Sequence, residues 1–352
     1  MLLPALNPAP PRPAPHPLRG AQASPDELAL PAVDVRALAR RAAVPAAIAA
    51  AAAAVVLAAG KPTQAFADAL QRAAHADPRW VAAAAMFELL SFAGYVALLW
   101  LVAGRATPRM GVRESTEVTL GGAAATRLLP TGGVGGAALT LWALRRSGLE
   151  ARQAGRTLLT FLVLLYAVFL AAIAVAGTLL ALGVADTHGP LALTAIPAAL
   201  ATAGIATALA LGLRRRRAVA VTSSRAGLLG EAVDDALRLV RSADGRLLGA
   251  LAWWAFDGAV LWAMLDAFGA GVPLLVVVLA YFVGQVGNLV PIPGAVSGGI
   301  AGVLLAFGVD ADLAIVSVLG YRAVAIWLPA PIGLAALASL RITLRRWAAE
   351  TA

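Results

Sequence analysis

Leu128-Leu129-Pro130-Thr131-Gly132-Gly133-Val134-Gly135-Gly136 and Leu289-Val290-Pro291-Ile292-Pro293-Gly294-Ala295-Val296-Ser297-Gly298-Gly299 each break an apolar run with proline and glycine. The runs, 117–147 and 273–309, are thereby divided into pairs of hydrophobic arms. Each arm is shorter than the about 20 residues a helix needs to cross a bilayer, which predicts two re-entrant helical hairpins. Unwound backbone survives at membrane depth only where protein buries it or a water-filled cavity receives it. Both breaks are therefore expected at a protected or functional place.

Working outward, six apolar segments are long enough to span: 42–60, 81–103, 157–183, 190–213, 246–270 and 312–340. Composition agrees, since 61% of the 352 residues are hydrophobic and 13% charged, against about a quarter charged in soluble domains. This excludes an ordinary soluble enzyme. The net charge of +9 is carried almost wholly by arginine, Lys61 being the single lysine. Arg36, Arg40, Arg41, Arg105, Arg109, Arg113, Arg214 to Arg217, Arg341, Arg345 and Arg346 fall on one side of the membrane if both termini are cytoplasmic. The expected location is the cytoplasmic (inner) membrane, multi-pass. Residues 1–26 hold seven prolines in the first 17 positions, a composition that favours a disordered tail. Cysteine is absent, so disulfides and thiolate chemistry are excluded.

The two broken runs read as copies. Gly148-Leu149-Glu150-Ala151 follows the first and Gly308-Val309-Asp310-Ala311 the second, 18 and 17 residues after Pro130 and Pro291. In each, glycine is expected to end one helix and the acid to stabilise the start of the next. Each run is flanked by spans, giving repeat 1 over 81–183 and repeat 2 over 246–340. The other expected segments are 27–80 (surface helix, first span, outer loop), 184–245 (linking span and amphipathic segment) and a cytoplasmic tail, 341–352. By the basic-residue count the repeats are inverted, and inverted repeats with interrupted helices point to a transporter-like site. The fold class expected is an all-α polytopic membrane protein of about six transmembrane helices plus two hairpins.

The sequence resembles the transmembrane region of the lysylphosphatidylglycerol synthases, the flippase-like domain family. The resemblance rests on Arg127-Leu-Leu-Pro130-Thr-Gly-Gly-Val-Gly-Gly136, Trp254-x-x-Asp257, Pro291-x-Pro293-Gly294, Gly308-Val309 and Tyr321-Arg322-x-x-x-x-Trp327-Leu-Pro329-x-x-x-Gly333. It covers about 81–340 and implies a protein that moves an amphiphile across the membrane. Many relatives carry an acid where this chain has Ile300, and an asparagine where it has Thr126. The family's synthases add a soluble transferase domain, for which about a dozen residues after the last span leave no room. Lipid aminoacylation is not expected of this chain.

Four charged residues are expected at membrane depth: Glu88, Arg127, Asp257 and Arg322. A charge there costs at least about 2.5–3.5 kcal/mol, so each needs a partner or water. The arginines suit a lipid phosphate, with Tyr321 beside Arg322, while Glu88 and Asp257 serve as charge partners or proton relays. Two ion pairs pinning helices together are the alternative. Backbone N–H groups beyond Pro130, Gly132, Gly133, Gly135 and Gly136, and beyond Pro291, Pro293, Gly294, Gly298 and Gly299, could hold an anion. Close packing through Gly132/Gly136 and Gly294/Gly298/Gly302 is the competing reading. Segment 214–245 reads as an amphipathic helix on the cytoplasmic leaflet (Leu228, Leu229, Val233, Leu237, Val240), or as a docking site for an enzyme. Trp80, Trp100, Trp142 and Trp347 read as interfacial anchors, and Trp253, Trp254 and Trp262 as packing residues.

No catalytic, metal or cofactor motif is visible, since His16, His75 and His188 lack ligand spacing. The expected function is translocation of an anionic lipid or other amphiphile. A non-transporting partner of a separately encoded lipid-modifying enzyme and a small-solute transporter are the alternatives. Membrane lipids are the expected partners, nucleic acid is not, and the oligomeric state stays open.

Overall fold

Local helix signals give the chain its elements. Asp77 accepts a hydrogen bond from the Arg79 N–H (2.9 Å) and caps α1 (Pro78–Ala106), with Pro78 in the first turn. This is the position that tolerates proline, because the N–H lost there has no intrahelical partner. The computed structural model describes residues 76–128, 134–184, 189–217, 225–289 and 294–351. They form α1, α2 (Val112–Leu128), α3 (Val134–Arg146), α4 (Ala151–Ala181), α5 (Leu191–Arg217), α6 (Arg225–Arg241), α7 (Leu248–Ala267), α8 (Leu274–Gln285), α9 (Ala295–Ala306), α10 (Ala311–Trp327) and α11 (Pro329–Thr351). The fold is all-α, with no strand among the described residues.

Five helical stretches are long and apolar enough to cross a membrane: Pro78–Ala106, Ala151–Ala181, Leu191–Arg214, Gly245–Ala267 and Ala311–Trp347. They coincide with five of the six expected spans. The sixth, 42–60, lies outside the described residues, as do the tail 1–26 and the surface segment before it. α2, α3, α8 and α9 hold 17, 13, 12 and 12 residues. At about 1.5 Å per residue none reaches across a hydrocarbon core of about 30 Å.

The repeated signature closes twice in the same way. Leu149 N–H reaches Leu144 C=O and Gly148 N–H reaches Arg145 C=O; Val309 and Gly308 repeat this onto Leu304 and Leu305. Gly148 (φ +98°) and Gly308 (φ +82°) sit in the left-handed region that such a cap requires. The acids differ. Asp310 accepts from the N–H groups of Asp312 and Leu313, whereas Glu150 makes no side-chain cap bond. The longer glutamate stem does not fold back onto its own first turn.

Helix pairs meet where side chains are missing. A Cβ on Gly249 of α7 would lie 2.2 Å from the Gly94 carbonyl oxygen of α1, so these antiparallel helices touch backbone to backbone. Around this contact Phe87 stacks on Phe256 and Phe92 packs edge-on to Trp253, while the Ser91 hydroxyl donates to the Trp253 carbonyl. α2 lies along α11, where Gly333 fits against the Leu120 carbonyl and Ala124. α8 lies along α4, where Phe282 meets Phe169.

Three expectations meet a different local structure. Residues 341–352, expected as a cytoplasmic tail, form the end of α11, which continues to Thr351 and buries Trp347 (4% exposed). Trp347 therefore packs inside the protein rather than anchoring at an interface. The final span is also not one uniform helix: α10 and α11 join at Leu328, and Pro329 interrupts the backbone ladder. Third, the apolar face of α6, expected on the cytoplasmic leaflet, packs on α4 and α5. Val233 and Leu237 cover Gly212 of α5, Leu228 reaches Gly155 of α4, and only Val240 is exposed. The α6 acids face arginines of α4: Arg152 donates to Glu231 (2.7 Å), and Arg156 pairs with Asp235.

Candidate functional site

Asp257 sits in the middle of α7 and is 3% exposed. Nothing in the apolar run around it announces how its charge is held. α8 supplies Tyr281 and Gln285 four residues apart, hence on one helical face. α10 supplies Tyr321, brought close because Gly320 leaves room for Met264 of α7. The Tyr281 hydroxyl donates to Asp257 Oδ2, and so does the Tyr321 hydroxyl at 3.1 Å. Gln285 Nε2 donates to the Tyr321 oxygen at 3.0 Å and lies 3.4 Å from the same Asp257 oxygen. Exposed Asn288 donates to Gln285 Oε1 at 2.7 Å, carrying the network out towards the second proline-glycine break.

All these contacts fall on one carboxylate oxygen. The other, Oδ1, is buried and has no hydrogen-bond partner among the described residues. Hydrogen bonds to a charged group contribute about 1.5–3 kcal/mol each, enough together to offset the insertion cost of the carboxylate. Aromatic rings wall the network off. Trp254 sits one turn before Asp257 and donates its indole N–H to the Leu165 carbonyl of α4 (2.7 Å), with Phe169 and Phe282 against its ring.

Of the two ion pairs offered as the alternative for the four deep charges, one between Asp257 and Arg322 is not formed among the described residues. Asp257 is held by tyrosine and glutamine donors instead. Arg322 is half-buried, one residue past Tyr321, with no carboxylate in reach among the described residues. Glu88 is 1% exposed on α1, at the level where α1 crosses α7 near Phe256. The helical backbone of Arg127 closes α2, and its side chain lies outside the described residues. Pro130, Gly132, Gly133, Pro291 and Pro293 lie outside them too.

Around the breaks the glycines divide into two sets. Gly136 of α3 packs on Gly122 of α2, and Thr126 accepts the Gly136 N–H at 2.8 Å, fastening the first pair of short helices. Gly299 of α9 packs on Gly284 of α8, where Ile300 is fully buried, and Gly287 lies against Ala295. By contrast, a Cβ on Gly294, Gly298 or Gly302 would meet nothing within 4 Å. The Gly294/Gly298/Gly302 stripe, for which packing was the competing reading, therefore faces open space, and packing falls to Gly284 and Gly299. The positions where Thr126 and Ile300 replace the residues common in relatives are both spent on fastening a helix pair.

Sequence reasoning missed Tyr281, Gln285 and Asn288, which sit in an apolar run without a recognisable motif. It also missed Glu117, a buried acid of α2 that accepts from Ser339 and Thr343 of α11 and pairs with Arg113. A polar residue four places from a tyrosine inside an otherwise apolar arm was the available signal. Among the described residues no cluster of histidine, cysteine or acids is arranged to hold a metal.

No curated protein matches the chain. The family model described as "Lysylphosphatidylglycerol synthase TM region" matches residues 43–333, which takes in four of the five apolar spans whole and the fifth as far as Gly333, with both pairs of short helices and the Asp257 network. The chain is a multi-pass integral membrane protein belonging to the lysylphosphatidylglycerol synthase transmembrane-region family.

Proposed function

We propose that this protein translocates an anionic lipid or other amphiphile between the leaflets of the cytoplasmic membrane, without being an enzyme itself. The observation that carries this reading is the duplicated pair of short helices. α2/α3 and α8/α9 each cross on a glycine contact, each ends in the same capped turn, and each lays its first helix along a span from the other half. Such an arrangement fits six spans and two re-entrant hairpins in an inverted repeat, with both termini cytoplasmic.

In this reading the two pairs of short helices shield a headgroup at mid-membrane while its acyl chains stay in lipid. Arg322 and Arg127 attract the phosphate, joined by N–H groups at the start of α3 and α9 that lack intrahelical partners. Gly294, Gly298 and Gly302 supply open surface beside them. Rocking of one repeat against the other then exposes the headgroup on alternate sides.

The test is leaflet exchange of labelled anionic and zwitterionic lipids in liposomes carrying the purified protein. Arg322→Glu is expected to abolish exchange of the anionic lipid, and an unchanged rate overturns the phosphate grip. The reading in which 214–245 docks a separate enzyme finds less support, since α6 uses its apolar face and acids on α4 and α5.

A further inference from the structure

We propose that Asp257 Oδ1 is a proton-binding site whose occupancy sets how tightly α8 is held to α7 and α10. The placement of donors carries this. Tyr281, Tyr321 and Gln285 all approach Oδ2, and Oδ1 is buried with no donor among the described residues. A lone bare oxygen on a buried carboxylate is the place where a proton can bind without displacing any existing bond. The step balances simply: Oδ1 takes one proton from water, no other bond breaks, and release returns it to water.

The consequence for the helices follows from bond strength. Donors to a carboxylate are held roughly twice as strongly as donors to a neutral acceptor. Protonation turns Oδ2 into a neutral carbonyl and weakens all its contacts at once. Two of the donors, Tyr281 and Gln285, belong to α8, the helix that leads through exposed Asn288 into the second break. Neutralising Asp257 thus loosens that end of the hairpin, and ionising it draws the hairpin back.

Other ionisable groups lie on the helices packed around α7. α1 contributes Glu88 and Tyr95, α4 contributes Tyr166 against Trp254, and α10 contributes Arg322 beside Tyr321. Glu88 is the one other buried carboxyl on these helices, so the test must separate it from Asp257.

This inference borrows from the translocation reading only the cargo that the motion would carry. Two readouts need no cargo. Infrared difference spectra recorded across a pH series should show the carbonyl band of a protonated carboxylic acid, which Asp257→Asn removes and Glu88→Gln leaves in place. Because the chain has no cysteine, Gly298→Cys gives a single label on the open face of α9. Its rate of modification by a thiol reagent, corrected for thiolate fraction with a free-thiol standard, should change as the pH falls. In Asp257→Asn it should stay at the acid-side value throughout. Should Asp257→Asn fail to fold, Tyr281→Phe removes one donor to the charged form and is expected to move the band midpoint to higher pH. A band that survives Asp257→Asn, an unmoved midpoint in Tyr281→Phe, or unchanged pH dependence of the label overturns the proposal. Loss of leaflet exchange with the band intact would instead count against translocation alone.

Discussion

At the scale of single residues, the chain spends short polar side chains on joints. Thr126 is the clearest, since its hydroxyl takes an N–H that proline-glycine backbone would otherwise leave open. Thr126→Val is expected to destabilise the first helix pair by about 1–3 kcal/mol, the cost of a buried donor left unmet. Thr126→Ser should restore it, and thermal denaturation in detergent reads both. Asp244, ahead of α7, behaves differently. Hydrogen bonds from the Arg246 side chain and backbone hold its carboxyl well below the usual carboxylate range. A depressed group contributes stability above its unfolded value and loses it only as pH falls through the lowered one. Asp244→Asn should therefore leave the pH response of Gly298→Cys unchanged, making it the control for Asp257. Charged residues inside apolar runs were legible in the sequence, because a lone aspartate among leucines stands out. Their partners were not, since Tyr281 and Gln285 look like ordinary members of a hydrophobic arm until a third helix shows which face they occupy.

At the scale of elements, glycine placement decides which helices touch. Gly249→Ala would set a methyl group 2.2 Å from the Gly94 oxygen, against backbone that cannot rotate away. Overpacking of this kind costs about 1–3 kcal/mol, and a fall in melting temperature with weakened α1–α7 packing is the expected result. Gly298→Ala, which meets nothing, should fall within about 0.5 kcal/mol of the parent protein. The contrast is useful because spacing offered Gly298 for packing as well as for anion binding and passed over Gly249. Helix existence and the doubled Gly-x-acid-Ala turn were readable, since periodic apolar length and a left-handed glycine are local properties. Which glycines face a neighbour is a tertiary property, and a four-residue repeat specifies only that they share a side. The same limit hid the role of α6. Its amphipathic pattern announced an apolar face, but lipid and the protein's own helices look alike to such a pattern.

At the scale of the whole molecule, hydropathy marked the spans, five of which coincide with long apolar helices while 42–60 lies outside the described residues; the break within the last of the five was not legible, because its length and the single Pro329 were compatible with an ordinary span. That helix has a consequence for how the two halves communicate. Its lower part, α11, is clamped along α2 by Glu117 with Ser339 and Thr343, and by Arg346 with Glu114. Its upper part, α10, carries Tyr321 into the Asp257 network that grips α8. One nearly continuous rod thus ties the first pair of short helices to the second, with the break at Pro329 between its two parts. Pro329→Ala restores the missing backbone bond and should stiffen the joint, so that a spin label on α3 and another on α9 report distances that change in step. That same substitution would make the rod a crankshaft, passing any movement of one pair of short helices rigidly to the other.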